Sequence, residues 1–169
     1  MIVVDASAMV EALVGRAPDP RLFELLGGDL HAPHLIDVEV TSVLRGLSLG
    51  GRVGIDTAEN ARLDLAGLDV VRHEFAPFAD RVWALRHQLT SYDASYLALA
   101  EALDAPLVTC DAKLATTGHR AQILLMTGSR RTVEPLRPEQ DPVEARMVRA
   151  STKRGSPRTV SWCPTSPLP

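Results

Sequence analysis

Residues 1–15, MIVVDASAMVEALVG, place the β-branched run Ile2-Val3-Val4 directly before an acid, Asp5, and then an apolar segment that ends on a glycine. A continuous run of this kind suits a strand buried on both faces, with Asp5 where the strand stops. From about Ala8 to Val14 the pattern reads as a short helix closed by Gly15. The same strand-acid-helix order returns near the other end, where Leu107-Val108-Thr109-Cys110 is followed by Asp111, a helical turn around Lys113 to Ala115, and a last strand over Ala121 to Met126.

Between these two stretches the periodicity alternates. Pro20 to Leu26 reads as a helix closed by Gly27-Gly28, and Leu30-His31-Ala32 as a weak strand. From His34 to about Leu49 the apolar residues Ile36, Val40, Val43, Leu44 and Leu47 form an amphipathic stripe that ends at Gly50-Gly51. Asp56 or Thr57 can cap a helix to about Leu68, followed by a strand over Asp69 to His73. Pro77 is placed as a first-turn proline for a helix to about Leu89, and Thr90-Ser91 caps another through Leu103. Thr90 and Asp93 have capping-box spacing. Strands and helices in this alternation imply a mainly parallel sheet covered by helices, a three-layer α/β fold, because parallel strands need crossovers.

The chain has 169 residues, 46% hydrophobic and 4% aromatic, which suits one domain with a short appendage and excludes a collagen, a coiled-coil rod and a wholly disordered chain. With no run of about 18 apolar residues and no basic leader before an apolar stretch, neither membrane insertion nor secretion is expected. Cys110 and Cys163 form no disulfide framework or metal knuckle, so a reducing cytoplasm is the expected location. Charge divides the chain: residues 1–126 hold 10 Lys and Arg against 17 Asp and Glu, net −7, whereas residues 127–169 hold 8 against 4, net +4. Residues 127–169 also carry 7 of the 12 prolines and no sustained apolar period. They are expected to be a disordered basic extension to a domain over 1–126.

Parallel α/β sheets build their sites at the carboxyl ends of strands. Asp5 and Asp111 end apolar strands. Asp93 lies in the first turn of its helix, on the face continued by Leu97 and Ala100, and Glu39 flanks the buried stripe of its own helix. Singly, each has a plain structural explanation as a cap, a turn residue or a solvated acid. Together at one sheet edge they would repel one another unless a cation intervened. Oxygen-only ligands suit Mg²⁺ or Mn²⁺, and the chemistry they support is metal-assisted phosphodiester hydrolysis, with a carboxylate available as general base.

The stretches IVVDASAMVEAL, DVEVTSVLRG, SYDASYLALAEAL and LVTCDAKLA resemble, in order, the four acidic motifs of PIN-domain ribonucleases, specifically the toxin subunits of VapBC-type toxin-antitoxin modules. The resemblance covers residues 1 to about 126. It implies a PIN-like fold, metal-binding acids at Asp5, Glu39, Asp93 and Asp111, and supporting hydroxyls at Ser7 and Thr109. It further implies a Mg²⁺-dependent endoribonuclease with an RNA substrate and a cognate antitoxin, commonly a homodimer.

An acidic core is a poor non-specific binder of nucleic acid. Arg45, Arg81 and Arg86 are the candidate phosphate contacts, each with a solvated helix face as its alternative, and recognition by shape and looped-out bases suits the low basic count. His31, His34, His73, His87 and His119 show no ligand spacing. Two other classes compete with the nuclease: a metal-dependent RNA- or protein-binding module of the same fold that does not cut, and a phosphotransfer protein. Against the latter, Ser7 stands where an aspartyl phosphatase wants a second Asp, and Lys113 follows Asp111 too closely for a receiver domain.

Overall fold

In a computed structural model, residues 1–126 are described; the expected basic extension over residues 127–169 lies outside them. Five short strands, β1 (Ile2–Val4), β2 (Leu30–Pro33), β3 (Val70–His73), β4 (Leu107–Thr109) and β5 (Ile123–Leu125), form one sheet in the order β3-β2-β1-β4-β5. Every neighbouring pair is parallel, with Val3 opposite His31 on one side and Leu107 on the other. Val3 and Val4 are completely buried at the centre of this sheet, as expected of a β-branched run without alternation.

Six helices cover the sheet: α1 (Ala6–Val14), α2 (Pro20–Leu26), α3 (Ile36–Leu49), α4 (Ile55–Gly67), α5 (Ala79–Ala84) and α6 (Ser91–Leu103). Helices α1, α3 and α4 pack on one another, whereas α5 packs on α6, and α6 lies across β1, β2 and β4. Helix α6 is the most enclosed element, with every residue from Ala94 to Ala100 buried. Its alanines allow close approach to the sheet, and its start is fixed by Thr90, whose Oγ1 accepts from the Asp93 amide at 3.2 Å.

Local chemistry moves several boundaries. Helix α1 starts at Ala6 rather than Ala8 because Asp5 itself is the N-cap, accepting from the Ser7 amide. In α3 the buried residues are Ile36, Val40, Leu44 and Leu47, while Val43, expected in the stripe, is 41% exposed. Helix α4 is entered through Gly54, so neither Asp56 nor Thr57 is its cap. The helix expected over Pro77 to Leu89 is three pieces: a 3₁₀ turn over Ala76–Phe78, the short α5, and a stretch in which Arg86 and Gln88 bond to the carbonyls of Trp83 and Leu85, three residues back. That tighter winding cannot carry a regular α-helix onward.

The strand order decides where a site can form. After β1 the chain steps outward through β2 to β3, then returns to lay β4 against the free side of β1. Connections therefore leave the carboxyl ends of β1 and β4 in opposite senses, a switch point of the kind at which open α/β sheets form sites. Asp5 follows β1 directly, and Asp111 lies two residues past β4.

Candidate active site

Asp5 leaves β1 and turns its side chain back into the protein, where it is only 6% exposed. Its Oδ2 accepts the Ser7 hydroxyl, the Thr109 hydroxyl at 2.8 Å and the Ser7 amide at 3.3 Å. Burial raises its pKa above the ordinary carboxylate value, and these hydrogen bonds offset the rise in part. Ser7 Oγ also accepts the Cys110 amide at 2.9 Å, and Thr109 Oγ1 accepts the Asp111 amide at 2.9 Å. The two hydroxyls thus tie the end of β1 to the end of β4, with Asp5 between them.

Glu39, on α3, is half-buried, and its Oε2 accepts the Tyr96 hydroxyl at 2.6 Å. Its pKa is raised chiefly by burial, with the negative charges of Asp5 and Asp93 adding to the rise and the Tyr96 hydrogen bond opposing it. Asp93 is aimed by its own cap residue, since Thr90 Oγ1 donates to Asp93 Oδ2 at 2.8 Å. Glu39, on α3, is therefore within electrostatic reach of Asp5 at the end of β1 and of Asp93 on α6. Asp111 is joined to Asp5 through Thr109, and its Oδ1 accepts the Lys113 amide at 2.9 Å, capping a 3₁₀ turn over Ala112–Leu114.

Among the described residues no group of three or more His, Cys, Asp or Glu side chains stands in ligating geometry around one point. Each of the four carboxylates instead gives one oxygen to a local donor, leaving Glu39 Oε1, Asp93 Oδ1 and Asp111 Oδ2 without a hydrogen bond from the described residues. Anionic oxygens with unused lone pairs fit a hard divalent cation by charge and donor type.

Tyr96, the hydrogen-bond partner of Glu39, is the residue of this cluster that sequence reasoning missed. It is 1% exposed, and burial followed by the Glu39 carboxylate raises its pKa, so its proton stays on the phenol and points at Glu39. The available signal was its spacing: Tyr96 lies three residues after Asp93, on the same face of α6. The histidines were also read as scattered, yet β2 and β3 bring two together. His31 is opposite Val71, so His73 is its diagonal neighbour on the same face. His31 Nδ1 lies 2.9 Å from His73 Nε2 and the rings stack with centroids 5.1 Å apart.

The candidate phosphate contacts differ in freedom. Arg81 is bidentate to Glu101, at 2.6 and 2.8 Å, and also donates to the Gly118 carbonyl. Arg86 donates to the Trp83 carbonyl at 2.9 Å and lies 5.0 Å from the Trp83 ring centroid. Arg45 is exposed on α3, the helix that carries Glu39.

Residues 2–119 match the PIN domain family. The chain is 43% identical over 120 residues to Ribonuclease VapC9 of Mycobacterium tuberculosis, which covers 70% of this chain and 92% of that protein. It is 37% identical over 128 residues to Ribonuclease VapC12 of the same organism, covering 75% and 99%. Among solved structures, a Pyrobaculum aerophilum protein aligns with a TM-score of 0.53 and 25% identity over 90% of both chains. VapC20 of Mycobacterium tuberculosis, described as a sarcin-ricin loop cleaving toxin, shares the fold with a TM-score of 0.50 at 17% identity, over 71% of this chain and 97% of that one. The match over most of the described residues, the identity to two VapC ribonucleases and the parallel sheet agree: the chain belongs to the PIN-domain family, alongside the VapC ribonucleases.

Proposed function

We propose that this chain is the endoribonuclease toxin of a type II toxin-antitoxin module and hydrolyses RNA phosphodiester bonds with a water activated by Mg²⁺, for which Mn²⁺ can substitute. The observation that supports this reading is the coupling of Glu39 to the charges of Asp5 and Asp93, in a chain 43% identical to a ribonuclease. Asp5, Glu39, Asp93 and Asp111 are the residues proposed to hold the cation. When bound, it lowers the pKa of the attacking water and offsets charge on the phosphate and the leaving oxygen.

The protein's own groups do the rest. Ser7 and Thr109 fix the Asp5 carboxylate, so it has one orientation to offer. Tyr96 fixes Glu39 through one oxygen and leaves the other for the cation. Thr90 aims Asp93 from the first turn of α6. Arg45 is the arginine of the three best placed to meet phosphate, since its side chain is exposed and the other two have partners within the chain. The reading carries with it a cognate antitoxin, a homodimeric assembly and a cytoplasmic location; among the described residues no helix is long and apolar enough to cross a membrane.

Incubating total bacterial RNA with the full chain in Mg²⁺, and in parallel with EDTA, tests the assignment on one gel. Discrete fragments in Mg²⁺ and none in EDTA are expected. Intact RNA in both lanes, with the protein retained on the RNA, would support the non-cleaving module instead.

A further inference from the structure

At the carboxyl ends of β2 and β3 lies a hollow of about 410 Å³, within the range of small-molecule sites, whose walls are mainly apolar. One wall is the turn from β2 into α3, with His34 and Leu35; another is the end of β3, with His73 and Phe75; the third is the start of α6, with Tyr92 and Ser95. Its lining holds none of the four acids but neighbours two of them along the chain. The Leu35 carbonyl accepts the Glu39 amide at 3.0 Å, Tyr92 directly precedes Asp93, and Ser95 directly precedes Tyr96.

We propose that this hollow receives an unstacked base of the RNA substrate, held between Tyr92 and Phe75, while the adjoining phosphate lies at the carboxylates. The proposal rests on the nuclease reading and adds how the substrate is gripped. Tyr92 and Phe75 are 61% and 51% exposed. Phe75 is held in place, its ring meeting the buried Phe78 edge-on at 6.0 Å. Exposed aromatic side chains that line one hollow are what base stacking needs, and stacking is tolerant of base identity.

Charge points the same way. The described residues carry a net −7, and two of the three candidate phosphate-binding arginines are engaged within the chain. A ligand drawn in by its phosphates alone is poorly served, whereas a neutral base entering an apolar hollow needs no cationic partner. His73 in its wall is suited to this: burial, then the neighbouring His31 and His34, lower its pKa and favour its uncharged ring.

The test uses the full chain with Ca²⁺ in place of Mg²⁺, so that a cation offsets the carboxylates' charge, and a single-stranded ten-nucleotide RNA that carries one 2-aminopurine and is checked on a gel to be intact. The expected result is quenching of the aminopurine on binding, with affinity about tenfold weaker in Tyr92→Ala or Phe75→Ala and weaker again in the double variant. Replacing the aminopurine by an abasic ribose should cost the wild-type protein a similar factor. Phe23→Ala, which removes another exposed aromatic on α2, is expected to bind like the wild type. Equal affinity for the abasic and base-bearing RNAs, or unchanged quenching in the double variant, overturns the proposal. A change of oligomeric state on gel filtration with unchanged RNA binding overturns it also, by making a second copy the occupant. Quenching that persists in a protein unable to cut RNA in Mg²⁺ would remove the nuclease reading while leaving the base-binding hollow standing.

Discussion

Asp5 carries a charge in a place that disfavours charge. Its carboxylate is buried and its pKa raised, so in the absence of a cation the ionised form is a strain on the fold. Asp5→Asn keeps an oxygen for the Ser7 and Thr109 hydroxyls and removes the charge. In EDTA it is expected to raise the melting temperature by a few degrees, the order that about 1 kcal/mol produces in a domain of this size. RNA cleavage in Mg²⁺ is expected to vanish, with the circular dichroism spectrum unchanged; cleavage at the wild-type rate would remove Asp5 from the site. Tyr96→Phe makes a narrower cut, deleting only the hydrogen bond that orients Glu39. Loss of such a partner to a ligand group typically costs about 10- to 100-fold in metal affinity or activity. Mg²⁺ titration of cleavage is expected to show the loss as a higher metal requirement, whereas an unchanged titration would make the tyrosine purely structural. Cys110 shows the same burial acting on a thiol. Its pKa is pushed up to about 11 by burial and by the negative charges of Glu11 and Asp5, so it should react with a disulfide reagent at pH 7.5 only after denaturation.

Among the elements, β2 and β3 form the pair whose stability should respond to pH. His73 has a pKa below its ordinary value through burial and then through His31 and His34. Between that lowered value and about 6.5 the unfolded chain binds more protons at this position than the folded one. The contribution of His73 to stability is therefore fully present above about pH 6.5 and is lost as pH falls through this window. Raised carboxyl values at Asp5 and Glu39 act in the opposite sense, stabilising the fold as pH drops, so the effect is read as a difference. Urea unfolding at pH 7.5 and 5.5 is expected to show a smaller loss on acidification in His73→Gln than in the wild-type protein. Equal losses in the two would mean that the imidazole pair carries no such linkage.

The elements also differ in how far local sequence specifies them. Helix α2 runs from Pro20 to Leu26 as its proline and glycine punctuation implies, and α6 begins where Thr90 offers a cap, because these signals act within one turn of the chain. The Pro77 to Leu89 segment reads as one helix, yet it is broken into a 3₁₀ turn, α5 and tight turns. Nothing local forbids continuation there, and the segment packs on α6, a contact that local sequence does not encode. Val43 fails for a related reason, since the buried stripe of α3 is narrower than its apolar residues suggest, and only the position of the neighbouring helices sets its width.

For the whole molecule, the described fold closes at its own last strand. The Met126 amide donates to the Thr109 carbonyl at 2.8 Å and the Met126 side chain is buried, so the described residues themselves tie β5 into the sheet. A chain ending at residue 129 is expected to fold and to cut RNA in Mg²⁺ like the full chain, measured by circular dichroism and by the same gel. A truncated protein that fails to fold would assign residues 130–169 a structural task that their composition does not suggest.

By itself, the sequence determined the element order, the parallel sheet that this order requires, and the four acids at element ends, because β-branched runs, helical stripes and caps are read within a few residues of one another. It also carried the resemblance to the PIN family, since the four motifs are local strings. Tertiary structure decided which of those acids meet. Strand order places β4 beside β1 rather than beyond β3, and so ties Asp5 to Asp111 through Thr109, across more than a hundred residues of chain. Tyr96 facing Glu39, His31 facing His73, and the hollow between three element ends have the same origin. Each depends on register and on packing distance, which no stretch of sequence specifies until the sheet has assembled.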